Sequence, residues 1–184
     1  MASIAEMIVS EAQAQGVDPN LALSVAAAES GTSQSGCNPI SSAGAEGVFQ
    51  LMPSSFPGVD ICDLATNIRT GVAYIKELSG KYGGDLQKVL AAYNWGPGNV
   101  DNAISAQGAS WFSAIPSSVQ GYANGIISAA GTAIQSAAAF VFPNSFSLAP
   151  SPTGSAVQPA VTAIGGSLLG ILLLGFGAYL LISD

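Results

Sequence analysis

Asp18-Pro19-Asn20-Leu21-Ala22-Leu23-Ser24-Val25-Ala26-Ala27-Ala28-Glu29-Ser30-Gly31 carries its own start and stop signals for a helix. Asp18 is a natural N-cap, and Pro19 suits the first helical position. Leu21, Val25 and Ala28 recur at helical spacing, which puts them on an apolar stripe, and Glu29 follows directly beside Ala28. Gly31 supplies a C-terminal stop. An acidic side chain therefore stands in the last turn of a helix, next to its apolar face. Burial there disfavours a carboxylate, and so does the negative end of the helix dipole. A carboxyl group kept protonated near neutral pH is a candidate general acid. The plain alternative is an acidic residue turned to solvent.

The composition narrows the setting of that acid. Only 8% of the 184 residues are charged, against about 25% in an ordinary soluble protein. The net charge is −7, and the four basic residues, Arg69, Lys76, Lys81 and Lys88, fall in one short stretch. An acidic chain without a basic patch is not built for nucleic acid. It contains no histidine, so the commonest general base and metal ligand are missing. Its two cysteines, Cys37 and Cys62, do not make a zinc site, and neither a metal nor a cofactor is expected. Met1 to Ser10 lacks a basic region and a long apolar run, so it reads as the start of a folded domain and not as a secretory signal.

Outward from the quoted stretch, the chain is an all-α pattern. Residues 2–15 read as a helix closed by Gly16, with Ile4, Ile8 and Ala12 on one face. Residues 31–63 are irregular, rich in Gly, Ser and Pro, and long enough to be functional. Helical period returns over 66–79, with Ile68, Val72, Ile75 and Leu78 inward. Asp85 caps a further helix with Leu86, Val89, Leu90 and Tyr93 on its apolar face, running into Tyr93-Asn94-Trp95-Gly96-Pro97-Gly98. A short helix with Val100 and Ile104, a loop holding Trp111 and Pro116, and a long amphipathic helix over 117–142 complete a domain of residues 1–142. The apolar stripe of that last helix is expected at Ile127, Ala130, Ile134, Ala137 and Val141; a second membrane segment is the alternative for it.

A proline- and serine-rich linker follows at 143–159, and an apolar run at 160–184 that carries no charge before its last residue, Asp184. That run is long enough to cross a hydrocarbon core of about 30 Å, so the expected partner is a lipid membrane. Gly166 and Gly170 form a small-xxx-small pair suited to a helix–helix contact.

Cys37 and Cys62 bracket the segment Gly44 to Pro53. Bridged, they would close a loop of about 25 residues, for which chain entropy gives roughly 3 kcal/mol. Two separate buried thiols are the expectation, because a chain assembled inside a cell starts reduced.

Three segments in order, Glu29-Ser30, Gly44 to Pro53, and Ala92 to Gly98, resemble the soluble lytic transglycosylase family. The resemblance covers roughly residues 4–128 and implies a lysozyme-like, mostly helical fold. It also implies a role for each matching residue. Glu29 matches the family's catalytic acid/base. Ser30 stands beside it, and Ser41, Gln50 and Met52 match positions lining the saccharide cleft. Tyr93 and Asn94 match the pair that holds an N-acetyl sugar, and Trp95 could extend that platform or serve as core packing. Tyr122 matches a tyrosine that closes over the acid. The family cuts the β-1,4 bond between N-acetylmuramic acid and N-acetylglucosamine in peptidoglycan, leaving a 1,6-anhydro sugar.

Two positions depart from the family: Trp95 replaces a small residue, and Ser118-Val119 replaces Glu-Thr before Tyr122. A single carboxyl suffices for this chemistry if the sugar's own 6-hydroxyl is the nucleophile. Glu46, Asp60 and Asp63 are the second carboxylates that a two-carboxylate hydrolysis would need. The alternatives are a goose-type-like hydrolytic muramidase and a non-catalytic glycan-binding or structural membrane protein. The topology expected from the sequence is a phage virion protein, anchored by residues 164–182, that opens the wall during entry and acts in the bacterial periplasm; the alternative is a host or plasmid protein exported by a dedicated secretion or conjugation apparatus.

Overall fold

A computed structural model describes the backbone of residues 2–141 and the side chains of residues 2–131. The described helices belong to one compact unit, Met1–Ser145. They are α1 (Ile4–Gln15), α2 (Pro19–Ser30), α3 (Leu64–Lys81), α4 (Leu86–Trp95), α5 (Pro97–Gln107), α6 (Trp111–Ala114) and α7 (Ser117–Val141). The expected linker at 143–159, the apolar run at 160–184 and the pair Gly166 and Gly170 lie outside the described residues. Among the described residues, no helix is long and apolar enough to cross a membrane.

Local signals explain the helix ends. Ser3 and Glu6 form a reciprocal capping box at the start of α1, and Gly16 ends it in the left-handed region. Asp18 accepts the Asn20 N–H, Pro19 is the first residue of α2, and Gly31 closes it at φ 65°. Asp63 and Asp85 cap α3 and α4 by accepting the N–H groups of Thr66 and Lys88.

Helix α1 packs on α2 and α3, while α7 packs on α2 and α4. One core cluster joins Ile8, Leu21, Val25, Ile68, Val72, Ile75 and Ile126 with Val48, Phe49 and Leu51 of the long loop. A second joins Leu78, Val89, Ala92, Val100, Trp111, Ile115 and Val119. Burying each large side chain contributes about 1.5–3 kcal/mol. Tyr93 and Phe112 touch both clusters, so the segment around Tyr93 sits on the seam between them.

Several expectations are corrected. Ala28 is exposed; the buried stripe of α2 is Leu21, Ala22, Val25 and Ala26. Glu29 lies seven residues after Ala22 and four after Val25, so it continues that stripe better than Ala28 does. Leu86 is 38% exposed because it opens α4 beside its cap. Trp111 begins helix α6 and is buried, so the expected loop there is partly helical. In α7 the inward positions among the described side chains are Val119, Ala123, Ile126 and the expected Ala130, with Ile127 half-buried at the edge of the stripe, while the side chains of Ile134, Ala137 and Val141 lie outside the described ones.

Cys37 and Cys62 are joined in a disulfide, against the expectation of separate thiols. The bridge ties the start of the long loop to the residue before the α3 cap. With a separation of 25 residues, it should contribute about 3 kcal/mol. Thermal unfolding with and without reductant checks this, and the reduced protein is expected to melt lower.

Residues 31–63 contain no long strand. Bridges pair Ile40 with Glu46 and Glu46 with Leu51, and a 3-10 turn spans Pro53–Ser55. Glu46 and Leu51 exchange both backbone hydrogen bonds at 2.9 Å, closing the turn Gly47-Val48-Phe49-Gln50. Two side chains hold this turn from behind. Gln34 accepts the Val48 N–H at 2.8 Å and donates to the Cys62 carbonyl at 3.0 Å. The fully buried Asn67 accepts the Phe49 N–H at 3.0 Å and donates to the carbonyls of Glu46 and Ile61 at 3.1 and 2.8 Å. Phe49 packs on α3 at Gly71, where a methyl group would collide with its Cβ, Cγ and Cδ2 atoms.

Candidate active site

Glu29 ends the buried stripe of α2, and α7 brings Tyr122 to it. The Tyr122 hydroxyl donates to Glu29 Oε1 at 2.6 Å. Burial raises the Glu29 pKa to about 7, and the Tyr122 hydrogen bond opposes that rise. The acid is therefore about half protonated at neutral pH. Burial also pushes both tyrosines that face it, Tyr122 and Tyr93, well above the usual phenol range, and the negative charge of Glu29 adds to this. Both stay neutral hydrogen-bond donors.

The Tyr93 hydroxyl donates to the Phe49 carbonyl at 2.8 Å, which locks the end of α4 to the loop turn. Beside it opens a groove of about 410 Å³. The groove brings together five residues singled out from sequence: Gln50, Met52, Tyr93, Asn94 and Trp95. Gln50 takes a left-handed backbone at φ 48° and donates its amide to the carbonyls of Pro39 and Gly47, both at 2.8 Å. Its side-chain oxygen remains an acceptor. Asn94 is exposed with no side-chain hydrogen bond among the described residues, so its amide donor and acceptor are open at the groove. Trp95 is half-buried, packing on the second core cluster while also lining the groove. Met52 is 37% exposed at the rim.

Two of the singled-out residues are placed differently. The Ser30 hydroxyl donates toward the Val48 carbonyl at 2.9 Å and accepts the Ser33 N–H, so it fastens α2 to the loop turn. Ser41 accepts the Ala45 N–H at 2.9 Å and closes a turn away from the groove lining. Each hydroxyl has a backbone partner of its own.

The structure adds Phe56, Tyr74 and Glu77, which the sequence reading passed over. Tyr74 stacks edge-on with Phe56 at 5.7 Å and lies tilted on Tyr93 at 5.4 Å. Its signal was weak: Tyr74 and Glu77 stand three apart on α3, beside the Val72–Ile75–Leu78 stripe. Among the described residues, no other carboxylate shifts Glu29. Asp63 is occupied as a helix cap, and Asp60 accepts the Cys62 N–H. Glu46 lies with Cys37 and Cys62 in a tight cluster, but the disulfide leaves no thiolate there to hold a metal.

Residues 6–115 match the family described as the Transglycosylase SLT domain. The solved structures that resemble the chain include two lytic transglycosylases. One is an inactive mutant of lytic transglycosylase Slt from Pseudomonas aeruginosa, with 23% identity and a TM-score of 0.62, covering 72% of this chain and 24% of that one. The other is the 70 kDa soluble lytic transglycosylase of Escherichia coli, with 25% identity and a TM-score of 0.56, covering 67% of this chain and 23% of that one. The chain spans about a quarter of the length of these proteins.

Proposed function

Because the chain belongs to the transglycosylase SLT domain family, we propose that it is a peptidoglycan lytic transglycosylase in which Glu29 serves first as acid and then as base. The observation that carries this reading is the Glu29 carboxyl, raised by burial to about 7 and held by the Tyr122 hydroxyl at 2.6 Å, whose charge acts on the groove residue Tyr93 and which no other carboxylate among the described residues shifts. The protonated Glu29 gives its proton to the oxygen of the β-1,4 bond between N-acetylmuramic acid and N-acetylglucosamine, and that C–O bond breaks. The resulting carboxylate takes the proton of the muramic 6-hydroxyl, whose oxygen bonds to C1. The product is a 1,6-anhydro end, and Glu29 is protonated again. Tyr122 supports the carboxylate stage, since its hydroxyl donates to the charged form. Tyr93 and Trp95 offer flat faces to sugar rings, while Asn94 and Gln50 suit hydroxyl and N-acetyl groups.

The test is digestion of purified peptidoglycan with mass identification of the ends. Anhydro ends are expected. Reducing ends would make the protein a muramidase, and no cleavage would make it a binding or structural module. Tyr122→Phe is expected to move the alkaline limb of kcat/KM to higher pH. It removes a hydrogen bond that favours the ionised acid, so Glu29 holds its proton longer. A pH–rate profile of the variant checks this. The site of action proposed here is the cell wall, reached from a membrane, with residues 160–184 as anchor and a phage virion as carrier. The apolar composition of that run supports the anchor. Flotation of the full chain with lipid vesicles, compared with residues 1–142 alone, tests it.

A further inference from the structure

We propose that Glu77 is a specificity residue of the groove that receives a primary ammonium group carried by the bound glycan strand; this rests on the reading of the groove as a saccharide site. Glu77 is the one charged side chain among the residues lining the groove. It lies three residues after Tyr74 on α3, so it emerges at the same edge as the row Phe56–Tyr74–Tyr93. Its carboxylate has no ion pair or hydrogen bond among the described residues. Lys81 and Lys88 are paired with Asp101 and Asp85. Its charge is felt on the groove floor: burial raises the Tyr74 pKa first, and Glu77 raises it further.

An N-acetyl group is neutral and gains little from such a charge. An anionic group is repelled by it. An ammonium is attracted to the carboxylate and also to the face of Tyr74 beside it. The ammonium can sit on a sugar that has lost its acetyl group or on the stem peptide, and the chemistry of recognition is the same.

The experiment compares wild type with Glu77→Gln, as full chains, on native peptidoglycan and on the same material with its primary amines capped by acetylation. Capping is expected to lower wild-type kcat/KM about three- to tenfold, within the range for charged groups partly removed from water. Glu77→Gln should show the capped-substrate rate on both materials, and Glu77→Asp should recover part of the discrimination. Equal responses of the two proteins to capping, or no response in either, would overturn the proposal. Peptide-free strands with and without one free amino sugar locate the ammonium. Binding of those strands by calorimetry, with and without Glu77→Gln in a Glu29→Gln background, reads Glu77 without cleavage. If the wild type cuts nothing, the enzymatic reading falls, while the binding arm still decides whether Glu77 selects the ammonium.

Discussion

Glu29→Gln is expected to lose activity by a factor of about 10²–10⁴ or more while remaining folded. Glutamine keeps the shape and accepts the Tyr122 hydrogen bond, but it can neither give a proton to the leaving oxygen nor take one from the 6-hydroxyl. One group serves both steps, so no second residue masks the loss. The same variant should differ from wild type in stability, and the sign depends on pH. The folded pKa of about 7 lies above the ordinary 4.5, so the native state binds the proton more tightly than the unfolded one. Wild-type stability therefore falls as pH rises from about 4.5 to about 7, by up to about 3 kcal/mol. Glutamine has no such dependence. Turbidity clearing of cell walls measures the first effect, and thermal melts at pH 4 and pH 8 measure the second. Glu29→Gln should gain on wild type at pH 8 relative to pH 4. A variant that clears walls at the wild-type rate would remove Glu29 from the mechanism.

Asn67→Ala is the second large effect, and it acts on the fold. Asn67 is fully buried and satisfies three backbone groups of the long loop: the Phe49 N–H and the Glu46 and Ile61 carbonyls. Each group left buried without a partner costs about 1–3 kcal/mol. The expected total is about 3–5 kcal/mol, measured by denaturant unfolding. Activity should fall as well, because the Phe49 carbonyl that holds Tyr93 and the backbone of Gln50 belong to the same turn. A loss of stability without any loss of rate at a temperature where the variant is folded would detach the turn from the cleft.

The helices were legible because their signals are local. Asp18-Pro19, Asp85 and Gly31 act within a few residues, and the α3 stripe of Ile68, Val72, Ile75 and Leu78 is buried as its period requires. The groove residues Gln50, Met52, Tyr93, Asn94 and Trp95 were reached through motif resemblance, since no spacing rule links positions 50 and 94. What stayed illegible depends on contacts between distant segments. Gln34 and Asn67 look like ordinary polar residues until the loop folds over them. Ser30 beside an acid suggests a ligand contact, yet its hydroxyl is taken by the Val48 carbonyl eighteen positions away. Tyr74 and Glu77 sit at the edge of an apolar stripe, where periodicity cannot say whether the space beyond is solvent or a cleft. The disulfide was misjudged because the redox history of an assembled chain is not written in the positions of its cysteines.

The contact between Phe49 and Gly71 bears on how this sequence can change over generations. No side chain at 71 fits while Phe49 packs against it. Truncating Phe49 to alanine leaves a cavity costing about 3–5 kcal/mol. Either single step is a loss, so the two positions are locked together and descend as a pair. The turn they hold carries Gln50 and anchors Tyr93, so drift in the cleft is slowed by a contact that never meets substrate. In a library randomised at both positions, survivors with a larger residue at 71 should carry a smaller one at 49, and the parental pair should dominate.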